Sequence, residues 1–243
     1  MLFHSNLSAL LRSYRRGGFD LTVKMVLDSL LNALGSSGTA LFPLFNFDFT
    51  KGTSFDIRST PSHMGTLTET ARMRPDAIRT GHPIYSFAAI GAQSNRFAGR
   101  VNFSGYGADS PFGILREIDG KIAVLNLPDQ HSMTFYHHVE EMLNVPYRYH
   151  KTFGGTYINQ DGDSSTKQFG LFVRDLERGV VTDVNGMGEK LWSLGLYKGY
   201  APKDGFGCRT IRVEDLYKAT ADVINAGKAE GLLYRIQKKD GGP

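Results

Sequence analysis

Two prolines, Pro75 and Pro83, divide residues 61–91 (PSHMGTLTETARMRPDAIRTGHPIYSFAAIG) into pieces that cannot share one secondary structure. Gly65 to Arg74 are good helix formers, and Met64, Leu67 and Ala71 fall on one face at helical spacing. Pro75 ends that run, because its ring blocks the preceding turn. Thr80-Gly81-His82-Pro83 is turn chemistry, and Ser86-Phe87-Ala88-Ala89-Ile90-Gly91 reads as a buried strand of small residues. Helix, tight turn and strand in immediate succession predict an α/β chain. The small strand residues leave room for a long, thin ligand beside the backbone.

The totals narrow the class. A chain of 243 residues is expected to form one domain over residues 1–243. Its 41% hydrophobic and 21% charged residues are ordinary for a globular protein. No run of eighteen apolar residues is present, so no membrane span is expected. The start, MLFHSNLSAL, lacks the basic and long apolar regions of a signal peptide. Cys208 is the single cysteine and cannot form an internal disulfide, which suits a reducing cytoplasm. Gly-Phe-Gly-Cys-Arg invites a nucleophile, but a lone cysteine reads more simply as a small core residue. A net charge of +4 without a compact Lys/Arg run excludes nucleic acid as the natural partner.

Along the chain, Leu2 to Leu7 begin as a strand and end in a polar turn, and RSYRRGG (12–18) reads as a basic loop. A helix is expected to Leu34, with Val23, Val26, Leu27, Leu30, Leu31 and Leu34 on one face and Gly35 closing it. Thr39 to Phe49 starts as an apolar strand and becomes an aromatic loop, and 46–59 reads as a variable loop facing substrate. Asp119-Gly120-Lys121 is a turn leading into a strand from Ile122 to Leu127. Leu216 to Tyr234 reads as a final amphipathic helix, followed by a solvated KKDGGP tail.

M-G-x-L-x-E, R-x-R-P and R-x-x-H-P-x-x-S-x-A-A-x-G, with Met64, Gly65, Leu67, Glu69, Arg72, Arg74, Pro75, Arg79, His82, Pro83, Ser86, Ala88, Ala89 and Gly91 in place, form one ungapped stretch. That stretch resembles the aminoglycoside 3-N-acetyltransferase-like family, which is distinct from the GNAT fold. Supporting segments are H-S-N-L-S (His4 to Ser8), Gly38-Thr39-Ala40-Leu41-Phe42-Pro43, Ser110-Pro111 with Leu115, and T-x-x-H-x-x-E at Thr134, His137 and Glu140. The upstream G-x-G-H-D of the family has become Leu127-Pro128-Asp129-Gln130-His131, which displaces His131 by one position. The resemblance implies a layered α/β/α domain with a mixed sheet, and transfer of an acyl group from coenzyme A to an amine on a sugar. It places His4, Ser5, Asn6 and Leu7 beside the pantetheine arm, with Arg79, His82, Ser86 and Ser110 as further cofactor contacts and Glu69 on the substrate side.

The chemistry asks for particular residue types. An ammonium ion cannot attack a thioester until it loses a proton, and a neutral histidine is the side chain best matched to that task near pH 7. A carboxylate behind the ring fixes its tautomer, and hydroxyl or backbone donors stabilise the thioester oxygen. On one side of a helix, His137 as base, Glu140 as its orienter and Thr134 as donor would supply these parts by direct transfer. His138 points to a different helix face from His137, so the two cannot share one metal ion, and no metal is expected.

The last third, from YRYHKTFGGTY onward, looks more like relatives that N-acylate nucleotide-linked amino sugars in surface-polysaccharide pathways. Arg148, Tyr149, Lys151 and Arg174 would then meet a diphosphate. A pI near 9.1 agrees with an anionic substrate, whereas a polycationic aminoglycoside asks for carboxylates. The leading expectation is therefore N-acylation of a dTDP-3-amino-3,6-dideoxyhexose by acetyl-CoA or 3-hydroxybutyryl-CoA. Aminoglycoside 3-N-acetylation is the alternative, a non-catalytic coenzyme A or sugar-binding module is the alternative of another class, and a homodimer is left open.

Overall fold

Successive side chains of a strand point to opposite faces, so a strand buried on both sides must lie between two apolar layers. In the computed structural model, which describes residues 1–237, the chain runs β1 (Leu2–Ser5), α1 (Ser8–Arg16), α2 (Val23–Leu34), β2 (Thr39–Pro43), β3 (Phe55–Asp56), α3 (Thr66–Arg72), β4 (Ile78–Arg79) and β5 (Phe87–Gly91). It continues through α4 (Pro111–Glu117), β6 (Lys121–Leu125), α5 (Phe135–Met142), β7 (Arg148–Ile158), β8 (Ser164–Arg174), β9 (Val180–Thr182) and α6 (Asn185–Ser193). It ends with β10 (Lys198–Gly199), β11 (Cys208–Arg212), α7 (Val213–Asn225) and β12 (Tyr234–Ile236).

The main sheet has the order β10-β11-β6-β1-β2-β5-β4. Its centre is parallel, with β1 between β2 and β6, and both wings are antiparallel. Leu2, Leu41, Phe87, Ala89, Ile122 and Val124 point to one core, which α4, α5, α6 and α7 cover with Ile114, Val139, Leu191 and Leu216. Phe3, Ala40, Phe42, Ala88, Ile90 and Ala123 point to the other, covered by Val26 and Leu27 of α2 and Leu67 and Ala71 of α3. This is the mixed α/β sandwich expected. Each large side chain taken fully out of water contributes about 1.5–3 kcal/mol, so both faces of the sheet hold it in register. Beside it stand a three-stranded sheet, β3-β7-β8, and a two-stranded one, β12-β9.

Local signals explain the element ends. Thr22 caps α2 by accepting from the Met25 N–H at 3.2 Å, and Gly35 closes it. The basic segment 12–18 is not a loop. Residues 12–16 form the second half of α1, which buries no side chain and rests on the sheet through the partly buried Leu10 and Leu11, and Gly17 and Gly18 make the turn after it. The closing helix is shorter than its periodicity suggests. It ends at Asn225 because Gly227 takes a left-handed φ of 67°, and the chain then turns into β12. Cys208 is exposed on β11 rather than in the core. The KKDGGP tail lies outside the described residues.

Candidate active site

Helix α5 begins just after Thr134, so His137 stands in its first turn and Glu140 one turn further on. The Nδ1 of His137 lies 2.8 Å from Glu140 Oε2. Arg148 enters from β7, with its Nε 2.8 Å from the same carboxylate oxygen and one of its Nη atoms 2.9 Å from Nδ1. A guanidinium only donates and a carboxylate only accepts, so Nδ1 stands between one group of each kind, and donation to Glu140, the shorter contact, is the tautomer that leaves the lone pair on Nε2. Arg148 also donates to the Phe172 carbonyl at 2.9 Å and to Thr182 Oγ1 at 3.4 Å. Nε2 of His137 has no protein hydrogen bond among the described residues, and the ring lines open space.

The charges follow from this packing. Burial would raise the Glu140 carboxyl, but the Arg148 charge and the His137 hydrogen bond outweigh it and hold it below its ordinary value. Burial, then Arg148 and Arg174, push His137 below its ordinary value against the pull of Glu140. At neutral pH the site therefore holds an ionised carboxylate and a neutral imidazole whose lone pair is on Nε2.

Two cavities meet at this imidazole. The larger, about 310 Å³, is walled by the β7–β8 hairpin and by Tyr85 and Tyr106. The smaller, about 180 Å³, is walled by residues 129–134, between β6 and α5, and by Phe45, Met64 and Val184. Phe47, Tyr85, His137 and Thr182 belong to both. Two molecules can thus approach one base from different sides.

The residues singled out from sequence divide sharply in this structure. Thr134, His137 and Glu140 come together, and Thr134 lines the smaller cavity. Tyr149, Lys151 and Arg174 line the larger one, and neither cation is in an ion pair among the described residues. Arg148 is different: its guanidinium is consumed by Glu140, so it is not free to meet a diphosphate.

Most of the residues expected to contact the cofactor have partners within the fold. His82 is fully buried and holds its turn, its Nδ1 accepting the N–H groups of Ile84 and Tyr85 at 3.2 and 3.0 Å. Ser86 is buried and accepts from Arg79, which also donates to the Ile57 and Thr60 carbonyls. Ser110 is buried and caps α4, accepting from Gly113 N–H at 3.4 Å. Glu69 pairs with Arg72 and accepts from Ser62 N–H, which makes it a brace between α3 and the segment before it. Along the first strand, His4 and Leu7 are buried, and burial followed by the Arg209 charge pushes His4 down to about 3. Only Ser5 and Asn6 keep surface there. They sit at the carboxyl end of β1, where Ser5 pairs with Leu125 and Asn6 N–H reaches the Leu125 carbonyl.

His131 is exposed on the rim of the smaller cavity. Asp129, two residues earlier, is the buried member of that segment. It accepts from Tyr136 and Tyr197 hydroxyls at 2.8 Å and from Arg209 at 2.6 Å, tying α5 to β11. Sequence reasoning missed Tyr85, Tyr106, Thr182 and the Arg148 pairing, because each arrives from a distant element with no motif of its own. Among the described residues no helix is long and apolar enough to cross a membrane, and no group of three or more His, Cys, Asp or Glu side chains is placed to hold a metal.

The sequence profile described as aminoglycoside 3-N-acetyltransferase matches residues 2–191. The chain belongs to this family. Among curated members, aminoglycoside N(3)-acetyltransferase VII of Streptomyces paromomycinus is 29% identical over an alignment of 166 residues, with 60% of this chain and 55% of that protein covered. Aminoglycoside N(3)-acetyltransferase IX of Micromonospora chalcea is 28% identical over an alignment of 165 residues, with 60% of this chain and 56% of its own length covered. The matched region thus spans little more than half of either relative. Among solved structures, aminoglycoside acetyltransferase AAC(3)-Xa superposes with a TM-score of 0.76 at 22% identity, covering 94% of this chain and 86% of that one. AAC-IIIb, solved as a binary complex with coenzyme A, has a TM-score of 0.74 at 20% identity, covering 93% and 89%. The family's layered α/β fold is therefore this chain's fold.

Proposed function

We propose that the chain is an acetyl-CoA-dependent N-acetyltransferase acting on an amino group of an amino sugar, with aminoglycosides as the leading acceptor class. The observation that carries this reading is the neutral His137, oriented by a buried carboxylate and standing where two cavities meet. The relatives' names favour aminoglycosides as acceptors.

Coenzyme A would supply a thioester carbonyl as acyl donor. The residues present suit its arm on the side of the smaller cavity, whose Phe45, Met64, Met133 and Val184 give an apolar slot. Ser5 and Asn6 lie beside β6, the strand from which the wall of that cavity continues. The acceptor attacks as the free amine, its ammonium proton having gone to solvent, and His137 Nε2 takes the second proton from the nitrogen as the new N–C bond forms. Glu140 steadies the resulting imidazolium through Nδ1–H. Thr134 and Thr182, on the wall of the smaller cavity, would supply hydroxyl donors to the oxygen that gains charge. As the C–S bond breaks, His137 Nε2–H returns the proton to the departing sulfur. Cys208 lines neither cavity and its thiol is pushed up by desolvation, so no acyl-enzyme on it is called for.

A second reading rests on the larger cavity. Its wall carries Lys151 and Arg174 with the aromatic Tyr149 and Phe153, and no carboxylate among the described residues. That lining suits an anionic acceptor, such as the sugar of a nucleoside diphosphate, better than a polycation. One assay separates the two. Thiol release from acetyl-CoA and 3-hydroxybutyryl-CoA is followed with a panel of aminoglycosides and a panel of dTDP-amino sugars. Turnover confined to aminoglycosides supports the first reading, turnover confined to nucleotide sugars replaces it with the second, and none with either overturns both.

A further inference from the structure

Helix α5 has a second working face. His137 looks into the cavities with Glu140 buried behind it, while His138 and Glu141 look away and grip the 102–109 loop. The buried His138 places Nδ1 2.7 Å from the carbonyl of Tyr106, so that nitrogen carries the ring proton. Ser104 donates to Glu141 Oε2 at 2.7 Å, and Asn102 donates to the Ser104 carbonyl at 2.6 Å. The loop is therefore pinned at both ends of a short turn.

What the turn holds is the Tyr106 ring. It lies edge-to-face on His137, with centroids 5.3 Å apart, and packs against Tyr85 at 4.8 Å. Tyr106 thus forms the side wall of the imidazole and part of the larger cavity at once. Its position depends on a backbone carbonyl whose partner is the histidine next to His137.

We propose that His138 is a positioning residue for the reaction: by fixing the Tyr106 carbonyl it sets the aromatic wall that holds His137 in its working rotamer. The inference rests on the reading of His137 as base. His138 is suited to a fixed role rather than a titrating one. Its ring packs on Phe135 at 5.1 Å and Tyr217 at 6.1 Å. The charged groups that share its outer cavity are Arg116 and Glu117 of α4 and Glu214 of α7, and Arg116 and Glu214 pair with each other at 2.9 Å. On its inner side lies Tyr106, and two and three residues on in its own helix Glu140 and Glu141 face other partners. Burial keeps it neutral, down at about 4.

The test compares His138→Asn, His138→Gln and His138→Leu. An asparagine amide reaches roughly where Nδ1–H stands, whereas a glutamine amide reaches the place of Nε2. Expected are kcat within about 3-fold of wild type for Asn, and a loss of about 10-fold or more for Gln and Leu, as a misplaced reacting group brings. Coenzyme A affinity should hold throughout. In a Tyr106→Leu background, His138→Leu should add little further loss, because both act through one ring. Titration of the His137 ring by NMR supplies a readout independent of turnover. It should move upward in His138→Leu as water reaches the ring, and stay put in His138→Asn. Equal losses for Asn and Gln, additive losses in the double variant, or an unmoved His137 titration would overturn the proposal. If His137→Ala keeps full turnover while that NMR titration still responds to His138, the reading of the base fails and the positioning geometry survives.

Discussion

At His137 the ring, the carboxylate and the guanidinium form a set with one proton to spare. Arg148 balances the charge of Glu140, so the imidazole can stay neutral and still have a partner ready when it becomes a cation. His137→Ala should lower kcat by at least ~100-fold with coenzyme A affinity little changed, and Glu140→Gln by less. Acyl-transfer assays beside a binding titration check this, and near-normal rates would remove His137 as base. Arg148 makes a separate prediction about stability. Arg148→Met leaves a buried carboxylate without its counter-charge and should cost about 3–5 kcal/mol in urea unfolding. Adding Glu140→Gln should recover much of that loss, and a stable single variant would show that the pair does not balance as described.

Among the elements, the β7–β8 hairpin gives the larger cavity its basic wall. Lys151→Glu and Arg174→Glu should move KM in opposite directions for the two acceptor classes: up by about 10-fold or more for a nucleotide-linked sugar, and down for a polycation. Parallel movement would show that neither charge meets the acceptor. The hairpin is also where sequence reading reaches its limit. The spacing of Thr134, His137 and Glu140 is helical, so a local pattern could put them on one side. Arg148 meets Glu140 only because β7 folds back over α5, and no spacing along the chain encodes that return. His82, Ser86 and Ser110 have hydrogen-bonding chemistry suited equally to a ligand or to a turn, and only burial distinguishes the two uses. The α1 segment offered too few apolar residues to show its period, because almost all of it faces water.

For the whole molecule, the helix–turn–strand succession of 61–91 and the helical spacing in α2 were enough to read α/β, the layers followed only from the family resemblance, and the order of strands depends on pairings between distant segments. Burial of histidines makes one global prediction. His4 is held down at about 3, and His82 and His138 at about 4, all chiefly by desolvation. Their unfolded counterparts titrate near 6.5, so below that pH the unfolded chain binds more protons than the folded one. Stability present at pH 7 should therefore decline as pH falls through about 6.5, by about 2 kcal/mol for each histidine at pH 5. Denaturant melts across this range check it, and a flat profile would refute the neutral, buried state. The wall shared by the two cavities has a practical consequence for ligands. Phe47, Tyr85, His137 and Thr182 separate the two chambers by only a side chain's thickness. A single compound joining an amino sugar to a pantetheine chain through a short tether would occupy both chambers at once. Its second half would bind at the high local concentration set by the first, making such a conjugate a far tighter inhibitor than either half alone.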